Sequence, residues 1–175
     1  ISLRSVMKNQ PTAAEQYARL KEKRFEAFLD ASFSDEALKG VPLYEVDVDG
    51  MTFKCRRPDT AFMANTGQMP MALTETLLNV EADDTNGLDA EERRAAADAR
   101  YRVMPVAERM ANIKATAQMV RYICVEPRLV LDAVGSRTNA LCVDDLTQND
   151  FKILAEWASG GDAAQGLKTF RRKQK

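Results

Sequence analysis

Two periods of apolar residues run along this chain, and the places where one gives way to the other mark out its elements. After Thr12, "AAEQYARLKEKRFEAFLD" puts Tyr17, Leu20, Phe28 and Leu29 on one helical stripe with Phe25 at its margin. Lys21, Glu22, Lys23 and Arg24 fall on the opposite side, where a charge run reads as a solvated helix face. At "LYEVDVDGMTFKCRR", residues 43–57, the period drops to two. Tyr44, Val46 and Val48 alternate with Glu45 and Asp47, and Met51, Phe53 and Cys55 alternate with Thr52, Lys54 and Arg56. Asp49-Gly50 between the two runs is a strong hairpin-turn signal. Acidic residues then stand opposite basic ones across the ladder, which places Arg56 and Arg57 near the polar face of a two-stranded ribbon. Surface charges there contribute little to folding, so replacing both by Ala is expected to leave the fold intact.

Pro58 cannot donate to a ladder and ends the second strand. Asp59 or Thr60 then caps a short helix through "TAFMANTG", stopped by Gly67. Pro70 opens a leucine-rich helix, "PMALTETLLNV", and residues 82–90 form a polar turn. The weakly apolar "EERRAAADARYR" is an exposed helix, whereas Pro105 begins the best amphipathic one, with Val106, Met110, Ile113, Ala117, Val120 and Cys124 at three- and four-residue steps. "VEPRLV" ends it, a loop covers 135–139, and "LCVDDLTQNDFKILAEWASGG" reads as an extended piece followed by a capped helix. Thr147 and Asp150 resemble a capping box, Phe151, Leu154, Trp157 and Ala158 form a buried stripe, and Gly160-Gly161 stops the helix. The predicted fold is α+β and mostly α-helical. It is a single domain over 13–170 with one β-hairpin at about 43–57, a flexible N-terminal arm at 1–12 and a basic tail at 171–175.

Composition narrows the function more than it names it. With 175 residues, 45% of them hydrophobic, the chain can bury a real core. Lys and Arg number 25 against 26 Asp and Glu, a balance that disfavours a nucleic-acid binder. The absence of a long apolar run or an apolar signal core predicts a soluble, non-secreted chain. Three widely spaced cysteines, Cys55, Cys124 and Cys142, read as reduced thiols. There is no histidine, which removes Ser-His and Cys-His nucleophiles and the commonest zinc ligand. No glycine-rich phosphate loop or paired-cysteine motif occurs. The acidic pairs Asp83-Asp84 and Asp144-Asp145 are explained by a turn and a helix N-terminus, so no metal, cofactor or catalytic residue is expected. The expectation is a non-enzymatic protein.

Several separated cues resemble the small tail-assembly chaperone proteins of long-tailed bacteriophages. In many of these a strand running into Arg-Arg-Pro precedes a G-x-I-P-x-x-L segment. An x-E-P-x element then precedes a C-terminal D-L-x-x-x-D-x-x-x-I-x-x-W-A helix and a final Phe-Arg. The matching positions are Arg56, Arg57, Pro58, Gly67, Pro70, Leu73, Glu126, Pro127, Asp145, Leu146, Asp150, Ile153, Trp157, Ala158, Phe170 and Arg171. Met69 stands where Ile is usual, and the first 35 residues lie outside the pattern. The resemblance implies a protein that binds tape-measure and tail-tube proteins in the host cytoplasm before polymerisation. The alternative is a permanent tail, baseplate or capsid-associated subunit of the virion that contacts lattice neighbours. Arg56, Arg57, Arg171 and Arg172 are the candidate partner-binding residues, no membrane is involved, and homo-oligomerisation is left open.

Overall fold

The computed structural model describes residues 10–66, 70, 90–132 and 139–160. The expectations for the arm at 1–9, the leucine-rich helix after Pro70, the loop at 82–89 and the tail with Arg171 and Arg172 lie outside them. Helix dominates over strand, as the alternation of periods predicts. The chain divides into two compact units between Lys39 and Gly40, a boundary that the single-domain expectation did not include.

In the first unit, Thr12 starts helix α1 (Ala13–Ser32) through a capping box: its hydroxyl accepts from the Glu15 N–H, and the Glu15 carboxylate accepts from the Thr12 N–H. Ser34 caps the single turn α2 (Asp35–Leu38) that follows. Phe25 and Leu29 are the buried apolar positions of α1. Tyr17 and Leu20 of the predicted stripe are exposed, so the buried face is rotated onto the residue that the pattern put at its margin.

In the second unit, β1 (Tyr44–Val48) and β2 (Met51–Cys55) form the expected antiparallel hairpin, with Val46 opposite Phe53 and Glu45 opposite Lys54. Asp49 and Gly50 both take positive φ, 51° and 86°, the backbone that a tight hairpin turn requires. The β structure extends beyond the hairpin. After α3 (Thr60–Asn65), α4 (Ala90–Val103) and α5 (Val106–Ile123), strand β3 (Cys124–Glu126) adds to β2 and makes a three-stranded sheet. The Glu126–Pro127 peptide is cis, and beyond it β4 (Arg128–Val130) pairs in parallel with β5 (Ala140–Cys142). A 3-10 turn (Val143–Asp145) leads to α6 (Gln148–Ser159), started by the Thr147–Asp150 capping box that the sequence predicts.

The core of this unit joins one face of the hairpin to the C-terminal half of α5 and to α6. Val46, Val48, Phe53 and Cys55 meet Phe62, Met119, Val120, Ile123, Cys124, Leu129, Leu154 and Ala158 as buried side chains. The burial of α5 is lopsided. From Ala115 to Ile123 it is covered on several sides, while Val106, Met110 and Ile113 of the predicted apolar stripe are more than half exposed. Gly160 ends α6 in extended backbone, and a Cβ there would lie 3.0 Å from the Glu156 carbonyl oxygen.

Candidate functional site

The strand-to-helix corner "CRRPDT" gathers the groups with the most unusual environments. Pro58 stops β2, and Asp59 takes extended backbone and accepts the Phe62 N–H at 2.8 Å, which starts α3. The two arginines point to opposite sides, as successive residues of extended chain do, just after the β2–β3 register shift between Lys54 and Cys55. The Arg56 N–H continues the ladder to the Ile123 carbonyl at 2.8 Å, and the side chain follows it inward.

Arg56 is therefore buried, 2% exposed, which corrects the expectation of a solvated ribbon face. Its guanidinium carbon lies 3.7 Å from the centroid of the Tyr122 ring, and its Nε donates to the Tyr122 carbonyl at 2.8 Å. The other face of the corner is built by Phe62, whose ring centroid is 5.0 Å from that of Tyr122. The Tyr122 hydroxyl donates to Asp59 Oδ2 at 2.8 Å, so one carboxylate caps a helix with one oxygen and holds the phenol with the other. Burial, and then the bond to Asp59, push the Tyr122 hydroxyl well above the usual tyrosine range. Burial also lowers Arg56 from its ordinary value, opposed by Tyr122 and Asp59. A guanidinium remains charged through such a shift. Its charge is met here by a ring face, a carbonyl and a nearby carboxylate.

Arg57 points the other way and is half-buried. Its guanidinium carbon stacks 3.7 Å from the Trp157 ring centroid and 5.4 Å from that of Tyr44, and Nη1 donates to the Trp157 carbonyl. The two rings lie 5.9 Å apart and inclined at 54°. Trp157 is half-buried rather than a core residue, and Tyr44 is 44% exposed, so the cluster presents aromatic surface and one cation at the protein surface. Trp and Tyr beside Arg are the residue types that anchor protein interfaces. The arrangement can recognise a partner's apolar or acidic groups. It places no activated nucleophile beside a base.

Of the four sequence-predicted site residues, the structure separates Arg56 into the interior and Arg57 into a surface cluster, while Arg171 and Arg172 lie outside the described residues. Sequence reasoning missed Tyr122, Asp59 as its acceptor, and Tyr44. One signal was present: Arg121 and Tyr122 interrupt the apolar run "MVRYICV", and polar groups in such a run need partners. An open groove of about 570 Å³ on the outer sheet face holds the exposed Lys54–Glu126 ion pair at 3.1 Å, with Glu45 and Thr52 beside it. Among the described residues, no three Cys, Asp or Glu side chains are grouped to hold a metal ion, and no helix is long and apolar enough to cross a membrane. Comparison with known proteins finds no matching family model, no matching curated protein and no matching solved structure.

Proposed function

We propose that this chain is a non-enzymatic bacteriophage protein that binds tail components, the tape-measure and tail-tube proteins, in the host cytoplasm during virion assembly. The observation that carries the reading is the contact of Arg57 with Trp157. Two cues of the tail-assembly pattern, Arg-Arg-Pro and the Trp-Ala helix, lie 100 residues apart and meet in one surface cluster with Tyr44. A cluster of this composition suits a protein partner better than a small substrate, because it sets an exposed Tyr44 and a half-buried Trp157 around one cation at the surface. The same proposal takes residues 13–170 as one mostly helical domain with a hairpin. In it the hairpin and α6 form the scaffold that holds Tyr44 and Trp157 together.

The test has two arms. Purified chain is mixed with candidate tape-measure and tube proteins, and binding is compared between the native chain and Tyr44→Ala. Mass spectrometry of purified particles then reports whether the chain stays in the virion. Binding that Tyr44→Ala weakens, with absence from particles, is the expected result. Stoichiometric presence in particles replaces the chaperone by a permanent virion subunit, and failure to bind either component overturns the reading.

A further inference from the structure

A second surface, on the opposite side of α6 from Trp157, has a different chemistry. Val106, Met110 and Ile113 are 66%, 60% and 53% exposed. Their spacing of four and three residues sets them on one stripe of α5. Val103, immediately before the Met104-Pro105 break, is 82% exposed. One turn beyond Ile113 the stripe runs beside a cleft of about 480 Å³ between α5 and α6, lined by Thr116 on one wall and Phe151, Lys152 and Ala155 on the other. From Val106 to Thr116 the surface is about 15 Å long, close to three helical turns.

The charges that border this surface are mostly basic, with Glu156, one turn beyond Lys152 on α6, the acidic exception. At 100° per residue, Arg109 lies on one edge of the stripe and Lys114 on the other, while Glu108 is carried round to the far side of α5. Lys152 adds a third cation on the cleft wall, and Arg102 precedes the stripe on α4. Arg109 Nε finds no hydrogen-bond partner among the described residues. A second copy of this chain laid on the stripe would set Arg109 and Lys114 against their own counterparts, so the charge pattern opposes self-pairing.

We infer that the α5 stripe and the adjoining α5–α6 cleft form a docking groove for an amphipathic helix of another protein whose apolar face is bordered by Asp or Glu. Apolar residues of the incoming helix cover Val106, Met110 and Ile113 and enter the cleft over Phe151 and Ala155, and its carboxylates meet Arg109, Lys114 and Lys152. The groove is independent of the Tyr44–Arg57–Trp157 cluster and of the phage reading, and it holds whether or not the partner is a tail protein.

The test uses two synthetic three-turn helical peptides with the same leucine face, one flanked by Glu and one by Lys, titrated with the full chain by fluorescence anisotropy. The Glu-flanked peptide is expected to bind saturably, the Lys-flanked one roughly tenfold more weakly or worse, and the difference is expected to shrink in high salt. Met110→Ser with Ile113→Ser is expected to reduce binding of the Glu-flanked peptide roughly tenfold without changing the circular dichroism spectrum, since both positions are exposed. Lys114→Gln with Lys152→Gln is expected to remove most of the salt dependence, and it keeps the test decisive if the apolar variant misfolds. Equal affinity for both peptides, no saturable binding of the Glu-flanked one, or a dimer in sedimentation that the Met110 and Ile113 changes abolish would each overturn the proposal.

Discussion

Tyr122 receives Arg56 twice, once on its ring face at 3.7 Å and once at its own carbonyl oxygen at 2.8 Å. The two contacts tie the end of β2 to the last turn of α5, a link across 66 residues of chain. The pair also removes a cation from water in the same place where the β2–β3 ladder ends. The corner is therefore a structural fastening on the Arg56 side and a surface feature on the Arg57 side.

Replacing Arg56 should be costly and replacing Arg57 should not. Arg56→Met preserves bulk but leaves the Tyr122 carbonyl without that donor, an expected loss of about 1 to 3 kcal/mol. Arg56→Ala adds a cavity and is expected to approach the range of about 2 to 5 kcal/mol for large-to-small core changes. Arg57→Ala removes a half-exposed cation–aromatic contact and is expected to cost about 1 kcal/mol. Urea denaturation of the three variants measures all of these. Equal losses for the Arg56 and Arg57 changes to Ala would show that the difference in burial has no energetic weight.

The Tyr122 hydroxyl provides a pH-dependent check on the same corner. Its folded value is raised, so the protonated phenol stabilises the fold fully below the unfolded value, near 10. That contribution is lost as pH rises from there toward the higher folded value. Stability of the native chain should accordingly fall above about pH 10. Tyr122→Phe should be less stable by about 1 kcal/mol at neutral pH, from the lost bond to Asp59, and should lack this part of the alkaline fall. Parallel alkaline curves for the two proteins would mean that the phenol does not titrate against folding.

The hairpin and the last capped helix were legible in the sequence, and the reasons are local. Asp49-Gly50 sets the turn and strict alternation sets the register, while Thr147 and Asp150 define a helix start within four residues. Strands β3 and β4 were not legible, because three residues are too few to show a period of two, whereas β5 coincides with the extended piece read at the start of "LCVDDLTQ". Arg56 was misplaced because alternation tells the side of a strand only while its ladder is regular, and the register shifts one residue earlier. The apolar stripe that opens at Val106 was legible, and its last part, Val120, Ile123 and Cys124, is core, while Val106, Met110 and Ile113 are exposed. Periodicity identifies a face, whereas tertiary packing decides how much of it is covered, and here coverage begins near Ala115. The Arg57–Trp157 cluster joins residues far apart in the chain, which no local pattern encodes.

Thiol reactivity should rank the three cysteines by environment. Cys55 and Cys124 are partners across the β2–β3 ladder and are fully buried. The hydrogen bond with Cys55, then burial, hold the Cys124 thiol well above the ordinary value, so little thiolate is available to attack a reagent. Cys142 is half-buried, with its Sγ 3.4 Å from the Leu131 carbonyl. A chromogenic disulfide reagent should label Cys142 first in the native protein and reach the other two only on unfolding. Peptide mapping that finds Cys124 labelled as quickly as Cys142 would contradict the closed β2–β3 pairing.

The hairpin turn itself invites a stabilising change. Asp49 adopts φ 51°, a conformation that Asn tolerates well, and Asn-Gly is a favoured pair for this turn. Its carboxyl is also raised, first by a hydrogen bond with Asp150 and further by the charges of Asp150 and Asp47. Asp150 is lowered, chiefly by the Thr147 N–H of the capping box, and so stays ionised beside it. Asp150 Oδ1 has no hydrogen-bond partner among the described residues, so it is open to a donor from a protonated Asp49. Because the folded value of Asp49 is raised, its favourable contribution is complete below the unfolded value and is lost as pH rises through the folded one. Asp49→Asn offers a permanent amide donor to Asp150 and removes the like-charge contacts. The variant should therefore melt higher than the native chain at pH 7, and the gap should close as pH falls below about 4, where the native carboxyl is protonated and makes the same bond. Thermal denaturation of both proteins across that range measures it. A variant that melts lower at pH 7, or a gap that does not change with pH, would show that Asp49 and Asp150 do not share a proton at the tip of the hairpin.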